Sequence, residues 1–398
     1  MIRYLKGCSL IQDINRILDN KTQKLISLLI NNQAKVYLVG GAVRDYYLKQ
    51  PIHDLDFEVY NLTFEKLKEL IVDDSSYLNE TFKTIKNNKI EFSLPRIEQK
   101  TGLNYSDYQL SFTNVMPKDA VLRRDFTINT LMYNLNENKL YDFCGGITDL
   151  NKCLLKAVDY QHFSEDSIRV LRMLKYQSKY DLKIDSQTYK LAKSVSQELW
   201  QQPQYLVSNL FSEIIKQPFF NLELFFDVLT DFLLIEQLKS NITNNRHHPE
   251  KSLYQHILGA LKSLQLYNIK DKKIYELLFW ALFFHDFGKL TGSRAHSERS
   301  VAYFEKYQGF ILKRKKDIEQ VRSLIADHML IRKYSETNDQ EKMRALQKKY
   351  GNQFYLLEIV GTCDYAGRMV TFTKEEAEKR IVKYQKQVLA KYWEVNNE

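Results

Sequence analysis

The chain has 398 residues, with 58 Lys and Arg against 49 Asp and Glu, a formal net charge of +9 and a pI near 9.0. That length exceeds what one hydrophobic core ordinarily serves, so two or more domains are expected, and 44% hydrophobic with 27% charged residues is the composition of a folded soluble protein. The basic balance favours a polyanionic partner, and the longest apolar run, Leu277 to Phe284, is far too short to cross a bilayer.

The four cysteines, Cys8, Cys144, Cys153 and Cys363, are scattered and form no CxxC, which argues against a disulfide scaffold or a thiolate zinc site. The N-terminus lacks an apolar stretch followed by a small-residue cleavage site, so a cytoplasmic protein without a membrane segment is expected.

Residues 9 to 31 carry Leu10, Ile14, Ile17, Leu18, Leu25, Leu28 and Leu29 near helical spacing and predict an amphipathic helix. Val36-Tyr37-Leu38-Val39 has the length and β-branched content of a buried strand. Gly40 and Gly41 follow, then a helical segment opened by Ala42-Val43-Arg44-Asp45 and ended before Pro51; backbone N–H groups at such a glycine turn suit a phosphate. The chain re-enters a strand at His53 to Val59, where Asp54 and Asp56, two apart, share a face. Two carboxylates on a rigid strand beside a phosphate cradle can hold Mg²⁺ against a triphosphate.

Thr63 to Val72 reads as a helix with Thr63 as N-cap, and residues 82 to 97 alternate as strands. Glu91 leaves two readings open, a third carboxylate of the metal site or a solvent-facing sheet residue. Residues 98 to 118 are polar and turn-rich and predict a mobile loop over the site. In Asp119 to Asn129, Arg123 and Arg124 can neutralise a triphosphate, and Asp125 can accept from a ribose hydroxyl.

GGAVRD, DLD and RRDFTIN, in this order and at these distances, resemble the class II tRNA nucleotidyltransferase and bacterial poly(A) polymerase family. The resemblance continues through Tyr141 to Leu150, and Phe163 to Arg172 resembles the family's EDxxRxLR motif, so residues 36 to 180 are covered by five ordered motifs. The resemblance implies an α+β chain: a polymerase-β-like mixed sheet with helices over residues 1–150, an all-α nucleotide-selecting neck and body over 151–240, and an all-α domain over 241–398.

By resemblance, Asp54 and Asp56 are the catalytic carboxylates that bind Mg²⁺. Gly40, Gly41, Arg44, Arg123, Arg124, Asp125 and Asn129 would then hold the nucleotide. On a helix, Asp166 and Arg169 lie three apart on one face, as do Arg169 and Arg172. Asp accepts and Arg donates, so the pair can satisfy the pairing edge of a base in place of a template, and Arg172 is expected to touch the nucleotide as well. Downstream the family's RxxRF becomes Met173-Leu174-Lys175-Tyr176; Lys175 keeps the charge but cannot form a bidentate fork.

Residues 181 to 240 read as helices, and Asn241 to Pro249 as a loop and domain boundary. Six of the eight histidines fall between His247 and His328. His256, the pair His285-Asp286 at the end of an apolar helix, and Asp364 follow the order of the HD phosphohydrolase superfamily, which they resemble. Imidazoles and carboxylates together suit a divalent transition metal; His296 and His328 would either add a second ion or only line the pocket. Residues 370 to 398 predict a terminal helix.

A nucleotidyltransferase head followed by such a domain is similar to the bacterial multifunctional CCA enzymes. The implied function is untemplated addition and repair of the tRNA CCA end from CTP and ATP, with phosphatase and 2′,3′-cyclic phosphodiesterase activity in the HD domain. A CC-adding enzyme, an A-adding enzyme, a poly(A) polymerase and a non-catalytic RNA-binding module remain as alternatives, and the oligomeric state stays open.

Overall fold

The computed structural model describes residues 14–102, 107–242, 251–267 and 269–390. Cys8, the first residues of the expected N-terminal helix, His247 and His248 with most of the expected boundary loop, and the last eight residues lie outside them. The chain divides into two compact units, Met1–Val195 and Ser196–Glu398.

The first unit is built on a seven-stranded mixed sheet of order β3-β4-β5-β2-β1-β8-β9. Its strands are β1 (Lys35–Val39), β2 (Leu55–Tyr60), β3 (Tyr77–Asn79), β4 (Thr84–Asn87), β5 (Ile90–Ser93), β8 (Met132–Asn134) and β9 (Lys139–Tyr141). Only β2 and β5 pair in parallel; every other pair is antiparallel. The polar stretch expected as a loop is instead an antiparallel hairpin of β6 (Ile97–Lys100) and β7 (Tyr108–Ser111), followed by α4 (Pro117–Ala120). Its exposed and half-buried residues alternate, so a two-stranded ribbon satisfies its backbone while leaving polar side chains in water.

The expected N-terminal helix is shorter than its apolar pattern: a 3₁₀ turn at Ile14–Ile17 precedes α1 (Asn20–Asn31). Asp19 caps α1 by accepting from Thr22 N, which interrupts the pattern at the cap. Thr63 likewise caps α3 (Phe64–Ile71), accepting from Lys66 N. Between β1 and β2 lies α2 (Gly41–Tyr47), and after the sheet come α5 (Gly146–Asn151), α6 (Tyr160–Phe163), α7 (Ile168–Tyr180) and α8 (Ser186–Val195). A small parallel pair, β10 (Leu154–Leu155) and β11 (Lys183–Ile184), ties the start of this helical part to its end.

The period of two in β1 and β2 decides which face does what. Val36 and Leu38 pair with Val59 and Phe57, all fully buried. On the opposite face Val39 pairs with Asp56 and Tyr37 with Glu58. There Tyr37, Val39, Tyr60, Val121 and Met132 form a second, smaller apolar cluster beside the charged residues. Burying each such side chain contributes about 1.5–3 kcal/mol, so the carboxylates stand on a strand anchored from both sides.

The second unit is helical: α9 (Gln204–Ile214), α10 (Leu222–Val228), α11 (Ile235–Ser240), α12 (Leu253–Gln265), α13 (Lys272–Phe284), α14 (His296–Ile311), α15 (Lys315–Asp327), α16 (Leu330–Glu336), α17 (Gln340–Tyr350), α18 (Phe354–Ala366) and α19 (Lys374–Tyr384). The apolar run Leu277 to Phe284 is buried on all sides within α13, packed by aromatic contacts such as Phe211 on Trp280 at 5.5 Å. Among the described residues no helix is long and apolar enough to cross a membrane. At Gly259 of α12, a Cβ would lie 2.5 Å from the carbonyl oxygen of Gly367, so two glycines let α12 and the end of α18 touch backbone to backbone. That approach brings His256 to Asp364.

Candidate functional sites

In the first unit the charged face is organised by the strand β2. Asp54 stands one residue before the strand begins, exposed, and Asp56 is its second residue. In the parallel register Asp56 lies opposite Glu91 of β5. Like charges directly opposite one another are unfavourable unless a cation neutralises them. The surrounding protein raises the Asp56 carboxyl above its ordinary range although the side chain still reaches solvent; Arg124 opposes the rise and Asp54 adds to it. Burial and the Asp56 charge raise Glu91 in the same way. An all-oxygen set of crowded carboxylates fits a hard cation such as Mg²⁺. Among the described residues, however, these carboxylates do not form a group of three with all ligand atoms within 4.8 Å; the clusters that do lie in the second unit.

Glu58, two residues beyond Asp56 on the same face, was not among the candidates read from the sequence. It is fully buried, and its Oε1 accepts from Arg123 Nη2 and Arg124 Nη2, each at 2.8 Å, while Oε2 accepts from the Tyr60 hydroxyl at 3.0 Å. Burial alone would push its carboxyl up, but Arg124 and Arg123 hold it below the usual range. The signal was present as a carboxylate at the third position of the series 54, 56, 58 in an otherwise apolar strand.

Gly40 has φ of +67° and precedes α2. A Cβ there would sit 2.6 Å from Arg124 Nη1, so glycine is needed both for the turn and for the arginine to close over it. Gly40→Ala should therefore introduce about 1–2 kcal/mol of backbone strain and displace Arg124. Calorimetry should find the unfolding midpoint lowered by several degrees; an unchanged midpoint would contradict this placement. Gly41, the first residue of α2, is half-buried.

Arg44 faces inward. It is 4% exposed, pairs with Asp45 Oδ1 at 2.8 Å, donates to Asn129 Oδ1, and lies 4.9 Å from the ring centroids of both Tyr176 and Tyr180. Asn129 Nδ2 donates to Asp125 Oδ1 at 2.8 Å, Arg172 Nε donates to Asp125 Oδ2 at 2.5 Å, and Arg172 Nη2 donates to the Tyr176 hydroxyl at 3.2 Å. Arg44, Asn129, Asp125, Arg172 and Tyr176 thus form a closed ring that joins α2, the RRDFTIN segment and α7. Burial would raise the Asp125 carboxyl, but Arg172 and the Asn129 amide hold it below the ordinary range. Tyr176, where the sequence departs from the family's phenylalanine, supplies a hydroxyl to this ring.

Asp166 does not share a helix with Arg169. Helix α7 begins at Ile168 with Ser167 as N-cap, and Asp166 lies before it, accepting from Ile168 N at 3.0 Å. A turn brings the two together in place of the helical i,i+3 spacing. Burial raises the Asp166 carboxyl, with Arg169 opposing. Arg169 donates to the carbonyl oxygens of His162 at 2.8 Å and Arg123 at 3.0 Å, tying α7 to the arginine pair. Lys175 is half-buried on α7, its ammonium 5.9 Å from the Tyr176 ring centroid.

The second unit gathers six side chains from five stretches of chain into two adjoining clusters that share Asp286: His256, His285, Asp286 and Asp364 form one, and Asp286, His296 and His328 the other. His256 comes from α12, His285 and Asp286 follow α13, His296 opens α14, His328 follows α15 and Asp364 is on α18. His256 Nε2 lies 3.1 Å from His285 Nε2, 3.1 Å from Asp286 Oδ2 and 2.9 Å from Asp364 Oδ1. On the other side His296 Nε2 lies 3.1 Å from Asp286 Oδ1 and 3.4 Å from His328 Nε2.

Carbonyl oxygens only accept, so the Nδ1 atoms of His285, His296 and His328 must be donors to Leu282, Ser293 and Ile325 at 2.6, 3.0 and 2.7 Å. In the neutral rings this leaves each Nε2 lone pair aimed into the cluster, the usual second contact of a metal-ligating histidine. Asp286 Oδ1 and Asp364 Oδ1 are buried and accept no hydrogen bond. Burial would raise both carboxyls, but the positive charge of Lys289 beside Asp286 and of Arg368 beside Asp364 holds them well below the ordinary range. Imidazole nitrogens and carboxylate oxygens crowded together fit a divalent transition metal.

Residues 36–156 match the Poly A polymerase head domain family. Over 278 residues the chain is 30% identical to a multifunctional CCA protein of Haemophilus ducreyi, a match spanning 64% of each protein. It is 32% identical over 174 residues to a CCA-adding enzyme of Staphylococcus epidermidis, 42% of each. In fold it is similar to the Thermotoga maritima CCA-adding enzyme complexed with tRNA, with a TM-score of 0.59 at 16% identity, covering 94% of this chain and 86% of that one. An apo CCA-adding enzyme gives a TM-score of 0.61 at 17% identity, covering 94% and 87%. The mixed-sheet head followed by a helical body is the fold these structures share.

Proposed function

We propose that the chain is a cytoplasmic tRNA nucleotidyltransferase that adds and repairs the CCA 3′ end from CTP and ATP without a nucleic-acid template. The observation that carries the reading is the single sheet face on which Asp56 stands beside a pair of arginines held by Glu58. The similarity to multifunctional CCA proteins and CCA-adding enzymes supports the choice of substrate. Asp54 and Asp56 would hold Mg²⁺, which when bound activates the attacking 3′-hydroxyl and neutralises the pyrophosphate leaving group. The chain's own residues do the rest. Arg123 and Arg124 place positive charge beside the carboxylates, and the turn at Gly40 and Gly41 leaves room for phosphate oxygens. The ring through Arg44, Asn129, Asp125 and Arg172 holds the base-reading helix at a fixed distance from that chemistry. Asp166 and Arg169 offer an acceptor and donors to the pairing edge of a base, with Arg172 and Lys175 along the same helix.

We assign the functional division as a nucleotidyltransferase head over 1–150, a nucleotide-selecting neck and body over 151–240 and an HD-type domain over 241–398. In the last, His256, His285, Asp286 and Asp364 would hold one transition-metal ion and His296 and His328 a second, with Asp286 common to both. A metal bound there would activate water for phosphate-ester hydrolysis; Lys289 and Arg368 neutralise the carboxylates at 2.5 and 2.7 Å.

Single-nucleotide assays test the transferase reading. A tRNA lacking CCA should gain two residues with CTP alone and the full triplet with CTP and ATP together. Unlimited growth with ATP alone would identify a poly(A) polymerase, and no growth in any mixture would sink the proposal.

A further inference from the structure

Among the described residues, Glu58 is the one carboxylate on the charged sheet face that is fully buried, and it faces the arginines and not the solvent edge where Asp54 and Asp56 stand. Two guanidinium groups meet on its Oε1, each at 2.8 Å, and the Tyr60 hydroxyl occupies Oε2 at 3.0 Å. Adjacent arginines on one short segment repel each other and, without a shared counter-charge, would splay into water. A buried carboxylate between them removes that repulsion and fixes both forks, because charge-assisted hydrogen bonds are directional and hard to replace once desolvated.

The placement is set by the strand. Glu58 follows Asp56 by two residues, so both project from one face, about 7 Å apart along the backbone. Arg124 is further constrained by a hydrogen bond to the Asn129 carbonyl at 3.3 Å and by closure over Gly40. Arg123 is steadied by Glu98 of the β6–β7 hairpin at 3.8 Å, and Arg169 holds its carbonyl oxygen at 3.0 Å. Every restraint on the pair therefore converges beside the strand of the two aspartates.

We propose that Glu58 is a positioning residue for the nucleotide triphosphate: it holds Arg123 and Arg124 in the orientation that receives the phosphates next to Asp54 and Asp56. It touches neither nucleotide nor metal and acts only through the arginines. One carboxylate against two guanidiniums leaves a net positive charge for the triphosphate. The inference rests on the nucleotidyltransferase reading, but its readout does not require transfer.

Equilibrium binding of CTP in the presence of Mg²⁺ tests it on the full chain. Glu58→Gln should weaken CTP binding about tenfold or more, the scale of a lost charged hydrogen-bond anchor, and Glu58→Asp should recover part of the loss. A general folding defect would also lower affinity, so the deciding comparison is in the Arg124→Gln background. There Glu58→Gln should cost less affinity than it does in the wild type, because only Arg123 is left for it to hold, whereas independent losses would multiply in full. Wild-type-like binding by Glu58→Gln, or multiplicative losses in the double variant, would overturn the inference while leaving the transferase reading intact. Wild-type protein that binds CTP but extends no tRNA would refute the transferase reading and leave Glu58 still tested. Wild-type protein that binds no CTP would overturn both.

Discussion

Asp56→Asn should lower nucleotide addition about a thousandfold and leave the protein at least as stable as the wild type. The first half follows from the proposed chemistry. Removing one carboxylate of a metal-binding pair forfeits several kcal/mol of transition-state stabilisation, and about 4 kcal/mol corresponds to a thousandfold in rate. The second half follows from the register. Asp56 lies opposite Glu91, and its carboxyl is raised in the folded chain by desolvation and by Asp54. A carboxyl whose pKa is higher folded than unfolded binds its proton more tightly in the folded state, so at neutral pH, without metal, its charge works against folding. Neutralising it relieves that penalty. Single-turnover extension and thermal unfolding on one preparation check both halves. Lost activity with a lowered unfolding midpoint would instead indicate a structural role for Asp56.

Asp286→Ala should abolish transition-metal binding in the second unit while nucleotide addition continues. Asp286 offers Oδ2 to the cluster of His256 and His285 and Oδ1 to His296, so no other residue belongs to both clusters. Its loss removes a charge from each. Elemental analysis after metal loading should find about two transition-metal ions per wild-type chain, the number of clusters, and close to none in the variant. The rise in unfolding midpoint on adding metal, which measures binding to the folded state alone, should disappear as well. A His296→Ala variant should keep one ion. Equal metal content in wild type and Asp286→Ala would refute the shared-ligand assignment, and loss of CCA addition in that variant would mean that the two activities are not separable.

Much of both sites was legible because short segments carry their own geometry. A strand, two glycines, a helix and a strand bearing two aspartates place a phosphate-sized turn next to carboxylate oxygens, whatever the rest of the chain does. His285-Asp286 at the end of an all-apolar helix is similarly local. What escaped depends on partners far along the sequence. Glu58 looks like a charged residue in a strand until Arg123 and Arg124, 65 and 66 residues on, fold back onto it. Arg44 follows a glycine turn and reads as a phosphate ligand, yet Tyr176 and Tyr180 bury its guanidinium against the head. Asp166 was placed on a helix by its spacing, and a turn before the helix achieves the same proximity by other means. His296 and His328 stand 32 residues apart in the sequence, and only the meeting of two helix ends brings their Nε2 atoms to 3.4 Å. The hairpin at 97–111 was missed because its polar alternation resembles a solvated loop when its partner strand is not considered.

One untemplated site that uses CTP and then ATP should leave its signature on the 3′ end it makes. The most direct measurement is to sequence the 3′ ends of tRNA made by the wild-type protein from a substrate ending at the base before the CCA triplet, with both nucleotides present. A single dominant end, C-C-A, with termination after the adenosine is the expected result. Ends that stop at C-C, that carry adenosine alone, that run on as poly(A), or that remain unextended would contradict it.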